Sequence, residues 1–317
     1  MRVIAAAEIE RLLDYPSLVE AIRAGFSGAL FAPPRHHHRI SRPGAAEATM
    51  ILMPAWQEVA AAGNGGGGFI GVKIVTVFPD NAARAKPSVL ATYVLMAGDS
   101  GEALATLDGA MLTLWRTAAT SALAASVLAR HDARRFTMIG AGAMAPRLIA
   151  AHAAVRPIRN VTIWNHTPER ARSLAATLDR PGFSVTASED LEGAVADADI
   201  VSVATLARTP LVRGAWLKPG THVDLVGAYT PQMREADDET IRRATVYVDT
   251  RSGMGESGDI AQPLATGVLS EAAIGGDLFE IASGKARRRS ADEITLFKSV
   301  GHAIEDLAAA VAVWRKL

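Results

Sequence analysis

Apolar positions change their spacing twice along this chain. Over residues 7–31, Ile9, Leu12, Leu13, Leu18, Val19, Ile22 and Phe26 recur at helical intervals and form one stripe, with a break near Pro16. From about residue 33 to residue 96 the runs shorten. RHHHRI, ATMILM, FIGVKIVTVF and SVLATYVLM are β-rich and are separated by Pro, Gly and Asn clusters that read as turns. NGGGG, residues 64–68, has almost no side chain to pack and is expected to be an exposed loop between two strands. GDSGEALATLDG then predicts a turn and a further strand, and residues 112–130 predict a helix.

From Phe136 strands and helices alternate. FTMIGAG, NVTIWN, SVTAS, DIVSVAT, HVDLVGA and TVYVDT predict strands, with helices over 145–155, 168–178 and 191–196 between the first four. A last long helix is expected over about 293–315. Regular alternation calls for a parallel sheet with helices on both faces, since parallel neighbours need crossover connections. The expected fold class is therefore α/β: a Rossmann dinucleotide-binding domain over 119–295 and an α+β domain over 1–118. The C-terminal helix, 296–317, is expected to return to the α+β domain. A length of 317 residues suits two domains.

Composition removes several function classes. Hydrophobic residues make up 49% and charged residues 21%, a globular balance. Lys and Arg number 33 and so do Asp and Glu, which argues against nucleic acid as a partner. The absence of cysteine excludes disulfides, thiolate metal sites, iron–sulfur clusters and a cysteine nucleophile. Glu8 interrupts the N-terminal apolar run, and residues 117–129 are too short to span a bilayer. The cytoplasm is the expected location, with no membrane partner.

Gly140-Ala141-Gly142-Ala143-Met144-Ala145 fits the pattern G-x-G-x-x-A between an apolar strand and a helix bearing Leu148, Ile149 and His152. Gly140 permits the tight turn, Gly142 lets backbone approach a pyrophosphate, and Ala145 lets the helix pack close to the sheet. The alternative is a Gly-rich turn that binds no nucleotide. After the second strand stand Asn165, His166 and Thr167, then Arg170. No carboxylate is there to repel a 2′-phosphate, so NADP is expected, with NAD possible. Arg170 also reads as the solvated face of the next helix. Ala204 and Thr205, closing DIVSVAT, and Val226 and Gly227, within HVDLVGA, complete the cofactor-binding candidates.

Lys73 lies inside an apolar strand, and Arg116 sits beside Leu114 and Trp115 at the start of an apolar helix. Charges in such surroundings are costly unless an anion pairs with them. That anion is either a ligand or one of the chain's own carboxylates. Among His36, His37 and His38 only alternate residues share a strand face, so no metal site is expected. Arg287-Arg288-Arg289 reads as a solvated surface run, and Asp259 either as an orienting group near the cofactor or as part of a surface turn.

Five stretches carry a resemblance: GVKIVTVFPDN, LDGAMLTLWRTAATSALAA, FTMIGAGAMA, VDLVGAYTPQMREADD and ITLFKSVGHAIEDLAAA. In this order the chain resembles the ornithine cyclodeaminase/mu-crystallin family. The resemblance implies a nicotinamide cofactor, an α+β domain that binds substrate and forms a homodimer, and a small imino- or amino-acid substrate. It also implies that Arg35, Lys73 and Arg116 hold the substrate carboxylate, with Lys73 or a water as the acid. Two departures separate the chain from the cyclodeaminase pattern. Tyr229 and Ile51 stand where that type carries an Asp and a Glu expected to handle the substrate's side-chain ammonium. The expected activity is thus NAD(P)H-dependent reduction of a cyclic α-imino acid. Ornithine cyclodeamination and a non-enzymatic nucleotide- or small-ligand-binding role of mu-crystallin type are the alternatives.

Overall fold

The computed structural model describes residues 1–28, 30–57 and 67–317, with Ala82 described by its backbone alone. Of the expected NGGGG loop, residues 64–66 lie outside this set. The chain forms two compact units, Met1–Thr117 with His302–Leu317, and Ala118–Gly301. No helix among the described residues is long and apolar enough to cross a membrane.

The first unit contains β1 (Arg2–Ile4), α1 (Ala6–Leu12), α2 (Tyr15–Ser27), β2 (Leu30–Phe31), β3 (His36–Ile40), β4 (Ala48–Gln57), β5 (Phe69–Val77), β6 (Val89–Ala97) and β7 (Ala103–Asp108). Its closing helix is α10 (Ala303–Trp314). The strands lie in the order β1-β7-β6-β5-β4-β2, with β3 also on β4. Two buried rows cross the sheet: Met53, Lys73, Tyr93 and Leu107, and Ala55, Gly71, Leu95 and Ala105. Helix α10 packs on β4, β5 and β6, and against α2. The opposite face carries Leu52, Pro54, Val72, Ile74 and Val94, all only half-buried.

α3 (Gly109–Leu128) starts in the first unit and ends in the second, and Asp108 caps it by accepting from the Met111 N–H at 2.8 Å. The second unit then runs through β8 (Arg135–Ile139), α4 (Ala145–Val155), β9 (Asn160–Trp164), α5 (Pro168–Leu178), β10 (Ser184–Ser188), α6 (Leu191–Asp197), β11 (Ile200–Val203) and β12 (His222–Leu225). It continues with α7 (Asp238–Arg243), β13 (Ala244–Val248), α8 (Gly258–Thr266), α9 (Leu278–Ala282) and β14 (Ile294–Lys298). Every strand pair is parallel, in the order β10-β9-β8-β11-β12-β14-β13. The chain moves outward from β8 to β10, then returns to the other side of β8 as β11. That reversal is the switch point at which doubly wound sheets open a crevice beyond the strands' carboxyl ends.

Four sequence expectations need correction. The helix over 7–31 is two helices and a strand. Pro16 opens α2 rather than kinking a longer helix, Asp14 caps it through the Ser17 N–H, and Phe31 pairs with Trp56 in β2. β1 was not foreseen, because three residues leave no readable period. The last helix is shorter than expected. Residues 294–298 are a fully buried strand between β12 and β13, and a strand buried on both faces shows an unbroken apolar run rather than alternation. Gly301, at φ 87°, ends that segment and α10 begins after it.

The fourth correction concerns Arg288. Its neighbours Arg287 and Arg289 are exposed, but Arg288 is half-buried and structural. Its guanidinium donates to the carbonyls of Leu128 at 2.7 Å, Gly220 at 3.1 Å and Glu293, and to the Thr295 hydroxyl at 3.2 Å. It thereby ties the end of α3 to the entrance of β14. Arg288→Ala leaves several of these acceptors without a donor and is expected to lower stability by about 3 kcal/mol in urea denaturation. A change within experimental error would mean that water replaces these bonds freely.

Candidate active site

Each unit gathers one set of the residues singled out from sequence. In the first, β5 places Lys73 between Met53 and Tyr93, and α10 lays Asp306 over it. Lys73 Nζ lies 2.9 Å from Asp306 Oδ1 and 2.8 Å from Oδ2. Arg116, from α3, reaches Glu305 Oε2 with Nη1 at 2.7 Å and Asp306 Oδ1 with Nε at 3.1 Å. Both carboxylates are fully buried, and Lys73 is 2% exposed. The pairing with the chain's own carboxylates, left open by the sequence, is therefore present. Removing one partner of such a pair strands a buried charge, at a cost of about 3–5 kcal/mol.

Burial and the neighbouring Arg116 pull the Lys73 ammonium down to about 8, against the pull of Asp306 and Glu305, which favour its charged form. Tyr93, beside Lys73, has a fully buried hydroxyl, and burial together with Asp306 raises its pKa well above the ordinary tyrosine value. The ring lies across Gly71, where a Cβ would overlap the phenol oxygen, so the glycine makes room for the tyrosine. His302 starts α10, and Glu305 completes a capping box by accepting the His302 N–H at 3.0 Å. Burial lowers the His302 pKa, Glu305 opposes this, and the charge of Arg35 lowers it further. Lys73 and Arg116 thus pair with the first turn of α10, and the charge of Arg35 is felt at its N-cap, His302. Glu305 and Asp306 were not foreseen as site residues, although two adjacent acids inside AIEDLAAAVAVW were a readable signal.

In the second unit the phosphate loop follows β8. Gly140 adopts φ 107°, and a Cβ there would meet Ala204 O and the Thr205 methyl group. The Ala141 N–H donates to Asn165 Oδ1 at 3.1 Å, while Asn165 Nδ2 donates to Thr167 O at 3.0 Å. Asn165 therefore braces the loop as well as standing at the end of β9. His166 and Arg170 are exposed, and the Thr167 hydroxyl lies 3.3 Å from His166 Nε2. α4 begins at Ala145 behind Met144, which supplies no side-chain cap, and nothing lies within 4 Å of where a Cβ on Gly142 would sit. An uncapped eleven-residue helix start beneath open space, with Ala143 in the turn before it, fits a bound phosphate group.

Ala204 and Thr205 follow β11, and Val226 and Gly227 follow β12, at the same edge. One residue not foreseen joins them. Glu235, fully buried, accepts the Thr205 N–H at 2.7 Å and the Thr205 hydroxyl at 2.8 Å through Oε1. Its Oε2 accepts the N–H groups of Gly227 at 2.8 Å and Ala228 at 3.2 Å. Asp259 accepts the N–H groups of Glu235 at 2.7 Å and Ala236 at 3.2 Å, so it orients this loop and is no surface turn. Lys298 Nζ lies 3.4 Å from Asp259 Oδ2 and 4.0 Å from Glu235 Oε2. Burial raises Glu235 to about 7; Lys298 and the Thr205 bonds act against that rise, and Asp259 adds to it. Ile51 is half-buried on β4, and Tyr229 is half-exposed after β12. The three histidines of β3 are exposed, and among the described residues no group of side chains suits a metal ion.

Sheet order, switch point and phosphate loop define a protein of the Rossmann dinucleotide-binding class with a second, α+β unit. The chain belongs to the ornithine cyclodeaminase/mu-crystallin family, whose profile matches residues 2–317. It is 40% identical over 306 residues to Δ1-pyrroline-2-carboxylate reductase of Paracoccus denitrificans, covering 96% of this chain and 93% of that protein. The structure of Thermococcus litoralis Δ1-pyrroline-2-carboxylate reductase in complex with NADH and L-proline matches with a TM-score of 0.90 at 33% identity, covering 100% of this chain and 97% of that one. An archaeal alanine dehydrogenase dimer with bound NAD matches with a TM-score of 0.89 at 27% identity, over 100% and 95% of the two chains.

Proposed function

We propose that the protein is an NAD(P)H-dependent reductase of cyclic α-imino acids of the Δ1-pyrroline-2-carboxylate or Δ1-piperideine-2-carboxylate type. The observation that carries this reading is the cluster of buried cations at the start of α10. Lys73 and Arg116 are held together against Glu305 and Asp306, and the charge of Arg35 is felt at His302 in the same turn. In this reading the cluster takes the carboxylate of a small substrate. No acid stands at Ile51 or Tyr229 to bind or deprotonate a second amine, which disfavours ornithine cyclodeamination. The similarity to a reductase solved with NADH and L-proline supports the same substrate class.

In this reading Gly140 to Ala145 and the N-terminus of α4 hold the pyrophosphate, Asn165, His166, Thr167 and Arg170 face the adenosine ribose, and Ala204, Thr205, Val226 and Gly227 line the cofactor. The bound dinucleotide supplies a hydride to the imine carbon. Arg35 and Arg116 fix the carboxylate, and Lys73, charged at neutral pH, gives its proton to the ring nitrogen, which then receives the electron pair of the C=N bond. Asp306 stabilises the ammonium form of Lys73 and so keeps the proton available. The half-buried apolar face of β4, β5 and β6 supports a C2 homodimer formed by the first unit.

Steady-state assay with both cofactors, cyclic imino acids and ornithine tests the activity. Imino acid should be reduced and ornithine should release little or no ammonia; robust proline formation from ornithine with stoichiometric ammonia would refute the reading. Arg35→Gln should raise the imino-acid KM about 10- to 100-fold with little change in kcat. NADPH should be preferred, and Asn165→Asp should narrow or reverse that preference by repelling the 2′-phosphate. A wild-type protein that prefers NADH tenfold would contradict this.

The proton donor carries a pH test. Lys73 donates only as an ammonium, so turnover should fall as pH rises above about 8. Asp306→Asn removes an interaction that favours the charged form, so this limb should move to lower pH; an unmoved limb would exclude Lys73 as the acid. Sedimentation velocity at micromolar concentration should return a dimer, and a monomer would count against the proposed interface.

A further inference from the structure

We infer that Glu235 is a positioning residue for the dinucleotide: its buried carboxylate staples the loops after β11 and β12 together at the edge of the phosphate loop and so sets cofactor affinity. The inference rests on the dinucleotide-dependent reading above and names a residue that reading does not use.

The geometry is that of a clamp. One carboxylate takes four donors, two from Thr205 and two from the successive residues Gly227 and Ala228. These donors belong to loops that leave neighbouring strands, and a Cβ on Gly227 would run into the Thr205 backbone, so the loops touch. Thr205 in turn packs against Gly140, whose missing side chain leaves room for Ala204 O and the Thr205 methyl group. Glu235 therefore acts on the phosphate loop through Thr205. The clamp is itself held: Asp259 on α8 fixes the Glu235 N–H, and Lys298 at the end of β14 sits between the two acids.

Only an ionised carboxylate accepts at both oxygens from four donors. Burial is the main influence against ionisation of Glu235; of the charged groups that face it, Lys298 from β14 favours the ionised form and Asp259 from α8 opposes it. The clamp consequently closes as pH rises through about 7 and loosens below it. Glutamine at this position keeps one acceptor but turns an NH2 group toward donors, which breaks half of the clamp at every pH.

The test is direct titration of the full-length protein with NADH, followed by nicotinamide fluorescence. NADH is chosen because it lacks a 2′-phosphate that titrates in the same range. Wild-type Kd should tighten severalfold between pH 6 and pH 8. Glu235→Gln should raise Kd at pH 8 at least tenfold and flatten the pH dependence, Glu235→Asp should restore part of both, and Thr205→Val should weaken binding a few-fold. Should Glu235→Gln fail to fold, the wild-type profile and Thr205→Val decide. A folded Glu235→Gln that binds like the wild type with the same profile, or a wild-type Kd that does not change with pH, overturns the clamp and leaves the dinucleotide reading intact. A wild-type protein that binds neither NADH nor NADPH overturns both.

Discussion

A lysine ammonium in the middle of a buried sheet face is tolerable only if a carboxylate is brought to it, and much of the first unit follows from that constraint. Lys73 is flanked by Met53 and Tyr93, neither of which stabilises a charge by ionising at neutral pH. The counter-charge comes from the far end of the sequence, on α10. Because Asp306 also engages Arg116, and Glu305 both pairs with Arg116 and caps α10, the helix can dock in only one register. The apolar remainder of α10 supplies the burial that makes the charges costly to leave unpaired. Packing and electrostatics select the same arrangement.

A parallel arrangement organises the second unit. There a carboxylate, Glu235, gathers backbone N–H groups that would otherwise compete for water at the mouth of the sheet. Loops at strand ends are ordinarily the softest part of a doubly wound sheet. Here two of them share one buried acceptor, and a third, the phosphate loop, is braced by the Asn165 amide. The edge that faces a ligand is thus fixed from beneath, and the loop atoms that would meet the ligand need no bonds of their own to stay in place.

Much of the alternating half was legible in the sequence because α4 and α5 each bury one face and because β8 and β9 run into turn residues, Gly140 and Asn165. α4 and α5 fall where the periodicity put them, and the Gly140 turn needs a backbone that only glycine adopts cheaply. What the sequence hid is what depends on distant partners. The run ITLFK lacks the alternation that marks a half-buried strand, and only its pairing with β12 and β13 on either side shows it to be one. Arg288 looks like its exposed neighbours and differs only in the carbonyls that surround it. Lys73 and Arg116 were visible as anomalies, charges among apolar residues. Glu305, Asp306 and Glu235 were not singled out, since acids in a sequence normally mean a solvated face.

The division of the chain also has a consequence for folding. The sheet of the first unit and the helix that covers it are separated in sequence by the whole second unit, and Lys73 and Asp306 stand 233 positions apart. Closing so long a loop costs conformational entropy before any contact repays it. Until α10 docks, the sheet face bearing Lys73 lacks both its carboxylate and its apolar cover. The core of the first unit is therefore expected to be completed late in folding, by a single docking event that joins distant parts of the chain.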